Sequence, residues 1–212
     1  VNIYDLDKED NFISINLIGN SSITDALNLI NNPPLKIASG MGVDSKSIKG
    51  NVDVQLKLDF ELKQDLDAKD IKIEVKADLH DVSNTEFVPN HTLSSPNLLL
   101  EVNSAGWSLT GEANYDSLPI QLNIQEKFAE KKYKSKCNIS FKFDDAAKKA
   151  LGLDWAILQA PNIEGYALVD ADITVQQNND ISIKLKADLK NAAIDYAFLG
   201  FVKELKQNAS AS

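Results

Sequence analysis

The chain has 212 residues, 43% of them apolar, and a formal net charge of −9. It is long enough to bury a core, and its acidic balance, with 22 lysines and no arginine, excludes nucleic acid as an expected partner. One cysteine, Cys137, and two histidines, His80 and His91, leave little material for a disulfide or a soft metal site. We therefore expect no metal and no cofactor.

The first elements are a strand and a short helix. Apolar and polar residues alternate through residues 11–18, which predicts a strand. Ser22, with Asp25 three residues later, predicts the N-terminus of a helix. Pro33 and Pro34 end this helix, because proline neither donates a backbone hydrogen bond nor tolerates a helical predecessor.

The clearest two-residue period lies in residues 51–62 and 69–79. Apolar side chains alternate there with Asn, Asp, Gln, Lys and Glu. This pattern predicts two strands that each have one buried apolar face and one solvent-exposed polar face. The apolar positions are Val52, Val54, Leu56, Leu58, Phe60 and Leu62 in the first strand and Ile71, Ile73, Val75, Ala77 and Leu79 in the second.

A polar loop is predicted at residues 80–96, which contain Pro89 and Pro96. Four further strands follow, at residues 97–103, 107–115, 119–128 and 132–143. Cys137 alternates with apolar residues in the last of these, so we interpret it as a small core residue.

The C-terminal part repeats the helix-then-strands order. Asp144 and Asp145 predict the cap of a helix at residues 146–151 that ends at Gly152. A further helical turn is expected at 154–159, and strands at 167–175 and 181–189. Residues 192–203 form a strand or a docking segment, and residues 205–212 a disordered tail.

Two stretches roughly 110 residues apart share one template. Ile48-Lys49-Gly50 is followed at residues 71–81 by IKIEVKADLHD, and Ile163-Glu164-Gly165 at residues 181–191 by ISIKLKADLKN. This predicts an internal duplication, with units at about 21–90 and 144–203 of one domain spanning residues 1–204. The fold class is mainly β, an antiparallel meander of about nine or ten strands with two short helices. Periodicity alone does not separate a closed sandwich from a meander that curls into a half-pipe or groove.

Motifs for catalysis are missing from the sequence. It contains no G-x-S-x-G elbow and no Gly-rich phosphate loop. We expect His80 and His91 at the solvated surface, and Asp144-Asp145 as a helix cap instead of a glycosidase pair. Asp78 and Asp188, shared by both copies, are interpreted as turn acceptors for backbone N–H groups. No catalytic residue is predicted.

Two segments resemble a known family. The ending of the second copy, KADLKNAAIDY at residues 186–196 with Gly200-Phe201-Val202-Lys203, resembles the DLT-x-A-x-(I/L) and lgw-x-K blocks of the AsmA-like domain in YhdP-type proteins of Gram-negative envelopes. Residues 42–62 look like that domain's opening. The sequence departs from the family at Lys190, where the family has Thr, and at Glu61, where it has Pro.

The resemblance implies a non-enzymatic segment of a protein that is anchored to the inner membrane by another part of its chain and faces the periplasm. It further implies transport of phospholipid between the inner and outer membranes along an apolar β-groove. The expected partners are phospholipid acyl chains, the remainder of the parent chain and other envelope proteins. The residues expected to line the groove are Val52, Val54, Leu56, Leu58, Phe60, Ile71, Ile73, Val75, Ile181, Ile183 and Leu185.

Two other functions stay open. The first is a structural or adhesive β-domain of a surface protein, with a closed core and a binding surface on the loop at 80–96. The second is a hydrolase acting on envelope glycans, which would need a carboxylate cluster in a pocket. An apolar trough open at its ends favours lipid transport, and a sealed core favours the adhesive domain.

Overall fold

The computed structural model describes residues 2–4, 11–32, 45–63, 65–67, 70–88, 90–153 and 155–211. Within these residues the main element is an open antiparallel sheet of eleven strands in which nearly every strand pairs with its neighbour in the chain. The predicted fold class, an antiparallel meander with two short helices, is therefore confirmed. The sheet contains, in spatial order, β1 (Asn2–Tyr4), β2 (Phe12–Ser22), β3 (Ile48–Glu61), β4 (Lys72–Val88), β5 (His91–Asn103), β6 (Gly106–Tyr115), β7 (Leu118–Lys127), β8 (Ser135–Phe143), β10 (Ala167–Val175), β11 (Ile181–Asp188) and β14 (Ser210–Ala211).

A smaller three-stranded sheet lies in the C-terminal part of the described chain. Its central strand is β12 (Ala192–Tyr196), which pairs with β9 (Ile163–Gly165) on one side and β13 (Phe201–Lys203) on the other. Two single turns of 3-10 helix flank these strands, at Ala156–Leu158 and Ala197–Leu199. The first of them confirms the helical turn predicted at 154–159.

Both predicted helices are present and are capped as expected. Helix α1 (Ile23–Ile30) begins after Ser22, whose side-chain oxygen accepts from the N–H of Asp25 at 3.0 Å. Helix α2 (Asp145–Ala150) begins after Asp144, whose carboxylate accepts from the N–H of Ala147 at 3.1 Å. Each cap satisfies an N–H group that has no partner within the helix.

The helices cover the same face of the sheet at two places. Ile23 of α1 packs in a buried cluster with residues of β3, β4 and β5, among them Val52 and Leu79. Ala147 of α2 is fully buried against β6 and β7, in a cluster with Ile120. Two short helices thus cover parts of this face of the sheet.

The internal duplication is visible in the strand registers. In the first copy Ile48 pairs with Asn84 and Asp53 with Asp78. In the second copy, Ile163 and Ile194 hold the places of Ile48 and Asn84 and pair in the same way. Leu168 and Asp188 hold the places of Asp53 and Asp78 and also pair. The match extends to the preceding strands, since β2 pairs with β3 as β8 pairs with β10 and the caps Ser22 and Asp144 hold the same position. The first copy therefore consists of β2, α1, β3 and β4. The second consists of β8, α2, β9 and β10, which together correspond to β3, and β11 and β12, which together correspond to β4. The three strands β5–β7 separate the copies.

The polar loop predicted at residues 80–96 is wrong, because most of this segment is strand. β4 runs on through Val88 and pairs with β5, which begins at His91. Val82 is buried in the sheet. Pro96, which cannot donate to a ladder, lies where the β5–β6 register shifts between Ser94 and Asn97.

Beside this proline, where the backbone hydrogen bonds between β5 and β6 are interrupted, the side chain of Ser95 makes hydrogen bonds to the backbone instead. Ser95 is buried, and its hydroxyl donates to the carbonyl of Glu112 in β6 at 2.5 Å. It also accepts from the N–H of Asn97 at 3.1 Å. The polar composition that suggested a loop therefore serves a bulge inside the sheet.

The C-terminal tail also differs from expectation. Residues 205–212 are predicted to be disordered, but Ser210 and Ala211 form β14 and pair with Asp188 and Ala187 at the end of β11. The N–H of Leu189 donates to the carbonyl of Ala209 at 3.0 Å. Small residues with weak strand propensity form a strand here because the edge of β11 is open to pairing.

Candidate functional site: the apolar face of the open sheet

Apolar residues of successive strands lie in rows that cross the main sheet. Because side chains alternate between faces with a period of two, the register of each strand pair decides which residues share a face. Strand spacing of about 4.8 Å makes a row of eight strands roughly 34 Å long. One such row is Val54, Ala77, Leu100, Leu109, Ile124, Cys137, Ile173 and Ile183. We call the surface made by these rows the apolar face.

The residues predicted to line a groove lie on this face. Leu56 pairs with Val75 and Leu58 with Ile73 across β3 and β4. Ile183 belongs to the row given above, and Ile181 and Leu185 of β11 alternate with it. The structure thus brings both groups of predicted residues onto one surface, at opposite ends of the meander.

Their exposure divides the predicted residues into three sets. Val52, Ile71 and Ile73 are buried, and Val52 contacts helix α1, so it belongs to the core beneath the helix instead of to an open surface. Five are half-buried, namely Val54, Leu56, Leu58, Phe60 and Val75. The three residues of β11 are exposed, with Ile181 at 64%, Ile183 at 59% and Leu185 at 56%.

The middle of the apolar face comes from strands that the predicted lining omits. Strands β5 to β8 and β10 contribute residues with the same alternation, most of them buried or half-buried. In β7, the alternation of apolar and polar residues in the sequence was a sufficient signal for identifying the residues on this face. They include Leu98, Leu100, Val102, Leu109, Ile120, Leu122, Ile124, Ile139 and Ile173.

Two chemically distinctive side chains lie on the apolar face. Trp107 pairs with Val102 in the row that contains Leu56, and its buried indole Nε1 has no hydrogen-bond partner. Cys137 is half-buried between Ile124 and Ile173, and burial raises the pKa of its thiol to about 11. The predicted role of Cys137 as a small core residue fits this position.

The opposite face carries polar side chains that bond across the strands. Asn138 of β8 donates to the carboxylate of Asp172 in β10 at 2.9 Å. Gln121 of β7 donates in the same way to Glu112 of β6 at 2.9 Å. Such cross-strand pairs stabilise a sheet modestly while keeping that face wetted.

His80 lies on this polar face and bridges three strands. Its Nδ1 is 2.8 Å from the side-chain oxygen of Asn97, and its Nε2 is 3.0 Å from a carboxylate oxygen of Asp53. The hydrogen bond to Asn97, followed by the one to Asp53, raises the pKa of His80 above its ordinary value. His80 is at the surface, as predicted, but has fixed partners that the sequence did not reveal.

His91 forms a second pair of this kind near the β4–β5 turn. Its Nδ1 is 2.6 Å from the carboxylate of Asp116, and its ring stacks on Tyr115 at 4.7 Å between centroids. The His91 hydrogen bond, with a backbone bond from Thr92, holds the pKa of Asp116 below its usual range. Both histidine pairs hold neighbouring strands together.

The acidic residues shared by the two copies have different surroundings. Asp188 accepts from the N–H of Lys190 at 2.9 Å, which agrees with the predicted turn acceptor. Asp78 instead lies within a continuing strand, opposite Asp53. The sequence could not show this, because the strand does not end after the KADL segment of the first copy.

Across the described residues, no group of three or more His, Cys, Asp or Glu side chains is arranged to hold a metal ion. None of the helices described is long and apolar enough to cross a membrane.

No protein-family model matches this chain, and no curated protein or solved structure matches it either.

Proposed function

We propose that this chain is a non-enzymatic segment of a cell-envelope protein that carries phospholipid between the inner and outer membranes and so helps to maintain the outer membrane. The apolar face of the open sheet binds the acyl chains. The protein acts at the periplasmic face of the envelope, held to the inner membrane by another part of its chain. This location and the anchoring come from the sequence resemblance.

One observation carries the proposal: an open sheet presents a continuous apolar surface while its other face is polar. Along β3, Leu56, Leu58 and Phe60 remain half-buried. On β11, Ile183 and its neighbours are exposed. Exposed apolar side chains that adjoin one another, as they do on β11, mark an interaction site in soluble proteins.

The energetics favour an acyl chain as the occupant. Each methylene that leaves water for an apolar surface contributes about 0.8 kcal/mol, so a long chain lying along a row gains several kilocalories per mole. The rows supply this contact without requiring a specific polar partner. The outer face, with pairs such as Asn138 and Asp172, keeps the segment soluble around its cargo.

Trp107 offers a direct test of acyl-chain binding, because its indole lies on the apolar face. In a Trp155→Phe background, which removes the 60% exposed second tryptophan, phospholipid with brominated acyl chains should quench Trp107 fluorescence. Lipid with unbrominated chains should not. Absence of quenching, together with lipid-free protein in native mass spectrometry, would overturn the proposal.

A pair of variants on β3 distinguishes the two faces. Leu56→Ser, on the apolar face, should weaken brominated-lipid quenching while the circular dichroism spectrum stays unchanged. Gln55→Ser, one residue away on the exposed polar face, is the matched control and should bind lipid like the parent chain. Unfolding of Leu56→Ser without a selective loss of lipid would show that the face is a closed core.

A further inference from the structure

Strand β11 has an open edge. On one side it pairs with β10 along its whole length, from Ile181 to Asp188. On the other side, within the described chain, only Ala187 and Asp188 are paired, with β14. Residues 181–186 are all exposed, so this edge presents unpaired backbone groups beside apolar side chains.

In the first copy of the repeat, the corresponding edge is paired with a full strand. There the equivalent strand β4 carries β5, with Ala77 paired to Leu100 and Asp78 to Leu99. Ala187 and Asp188 hold the same two places, and β14 meets them in the same antiparallel sense. With its neighbour present, Val75 is half-buried opposite Val102, whereas its counterpart Leu185 is 56% exposed. The edge of β11 is therefore a strand position that β14 fills only at one end.

We propose that a second copy of this chain fills this edge, with the two β11 strands pairing antiparallel around a two-fold axis at Ile183. In this register Ile183 faces Ile183 of the second copy, and Ile181 faces its Leu185. Asp180 faces Lys186 of the second copy, which sets opposite charges against each other. A two-fold axis perpendicular to the sheet keeps both apolar faces on one side and joins them into one surface.

Neighbouring registers fit less well. Centring the pair on Lys184 would place two lysines face to face and Asp180 opposite Asp188, and like charges opposite each other destabilise a sheet. Centring it on Ser182 would oppose Leu185 to Asn179, which has φ +66° in the hairpin turn. The register centred on Ile183 uses residues 180–186, the length between that turn and the residues already paired with β14.

The first test is the oligomeric state of the chain. A single strand pair is small beside standard interfaces, so we expect a weak, concentration-dependent dimer in sedimentation equilibrium from micromolar to millimolar protein. Ile183→Lys, which sets two lysines against each other at the axis, should abolish the dimer. Because Ile183 is exposed, its circular dichroism should be unchanged. Ile18→Lys, at an 82% exposed position of β2, is the matched control and should dimerise normally.

A cross-linking experiment tests the register itself. In a Cys137→Ala background, Ile183→Cys should form a disulfide-linked dimer with oxidised glutathione, because directly opposed residues have Cα atoms about 4.5–5.5 Å apart. Ile181→Cys should not, since its counterpart lies four residues further along the partner strand. A monomer at every concentration would overturn the proposal and assign the edge to another polypeptide. A dimer that survives Ile183→Lys, or that cross-links through residue 181, would also overturn it.

Discussion

Gly50 and Gly165 occupy the same place in the two copies of the repeat and share a backbone conformation that other residues rarely adopt. Their φ angles are +130° and +88°. A Cβ on Gly50 would lie 2.6 Å from the carbonyl oxygen of His80, and one on Gly165 would contact the carbonyl oxygen of Asn191. The I-x-G motif therefore marks a bend where the strand approaches the end of the KADL segment.

Replacing either glycine by alanine should destabilise the protein. Gly50→Ala and Gly165→Ala each combine an unfavourable φ with a clash against backbone, which we expect to cost about 1–3 kcal/mol of unfolding free energy. Urea denaturation measures the loss. Gly19→Ala is the control, because its Cβ would meet only Leu17 at 4.0 Å, and its stability should change by less than about 0.5 kcal/mol. Equal effects at all three sites would contradict the role assigned to the bend.

The helix caps should contribute equally in the two copies. Ser22→Ala and Asp144→Ala each leave a helix N–H without its side-chain acceptor, and each should cost about 0.5–2 kcal/mol in urea denaturation. Ser22→Asp and Asp144→Ser exchange the two capping residues and should retain most of the stability. If the exchanged variants were as unstable as the alanine variants, the stabilisation would come from something other than the cap.

Protonation of His80 should stabilise the fold. Asn97 and Asp53 raise the pKa of His80 in the folded state, so its contribution is fully present below the unfolded pKa of about 6.5. It is lost as the pH rises through the higher folded value. In an NMR titration the His80 ring should show a midpoint above 6.5, and Asn97→Ala and Asp53→Asn should each lower it.

The His91→Gln variant distinguishes the two histidine signals in this titration. A His80 midpoint that stayed in place when Asn97 and Asp53 were both replaced would refute the hydrogen-bonded origin of the shift.

Cys137 should react slowly with thiol reagents. Its pKa of about 11 leaves only about a thousandth of the thiol ionised at pH 8, against roughly a quarter for a free cysteine. The rate of iodoacetamide modification should therefore keep rising from pH 8 towards pH 11. A rate that levelled off near pH 8.5 would mean that the thiol is solvated.

The sequence predicts those parts of the fold that depend on local alternation and capping. Residues such as Leu56 and Ile183 alternate with polar neighbours in strands, and Ser22 and Asp144 are caps that a short pattern identifies. The meander follows because consecutive strands with short turns pair with each other.

The segment at residues 80–96 was mispredicted because its structure depends on distant partners. Ser95 and Pro96 look like loop residues, and only the carbonyl of Glu112 in β6 makes Ser95 part of a bulge. The same reason hides the partners of His80, which come from two other strands. For the apolar face, alternation identifies each strand's contribution, but only the register shows which rows are continuous and that Val52 lies beneath a helix.

The three-strand spacer between the copies fixes their orientation. Strand direction reverses at every step of the sheet, so a spacer of three strands returns the second copy to the direction of the first, whereas two or four would have inverted it. Both helices consequently cover the same rim of the apolar face, where β2 and β8 end. In the part of the chain that the structure describes, no α-helix covers the opposite rim, where Leu58 and Phe60 lie near the end of β3. Among the described residues, the surface therefore has one rim that helices shelter at two places and an opposite rim from which a ligand can approach.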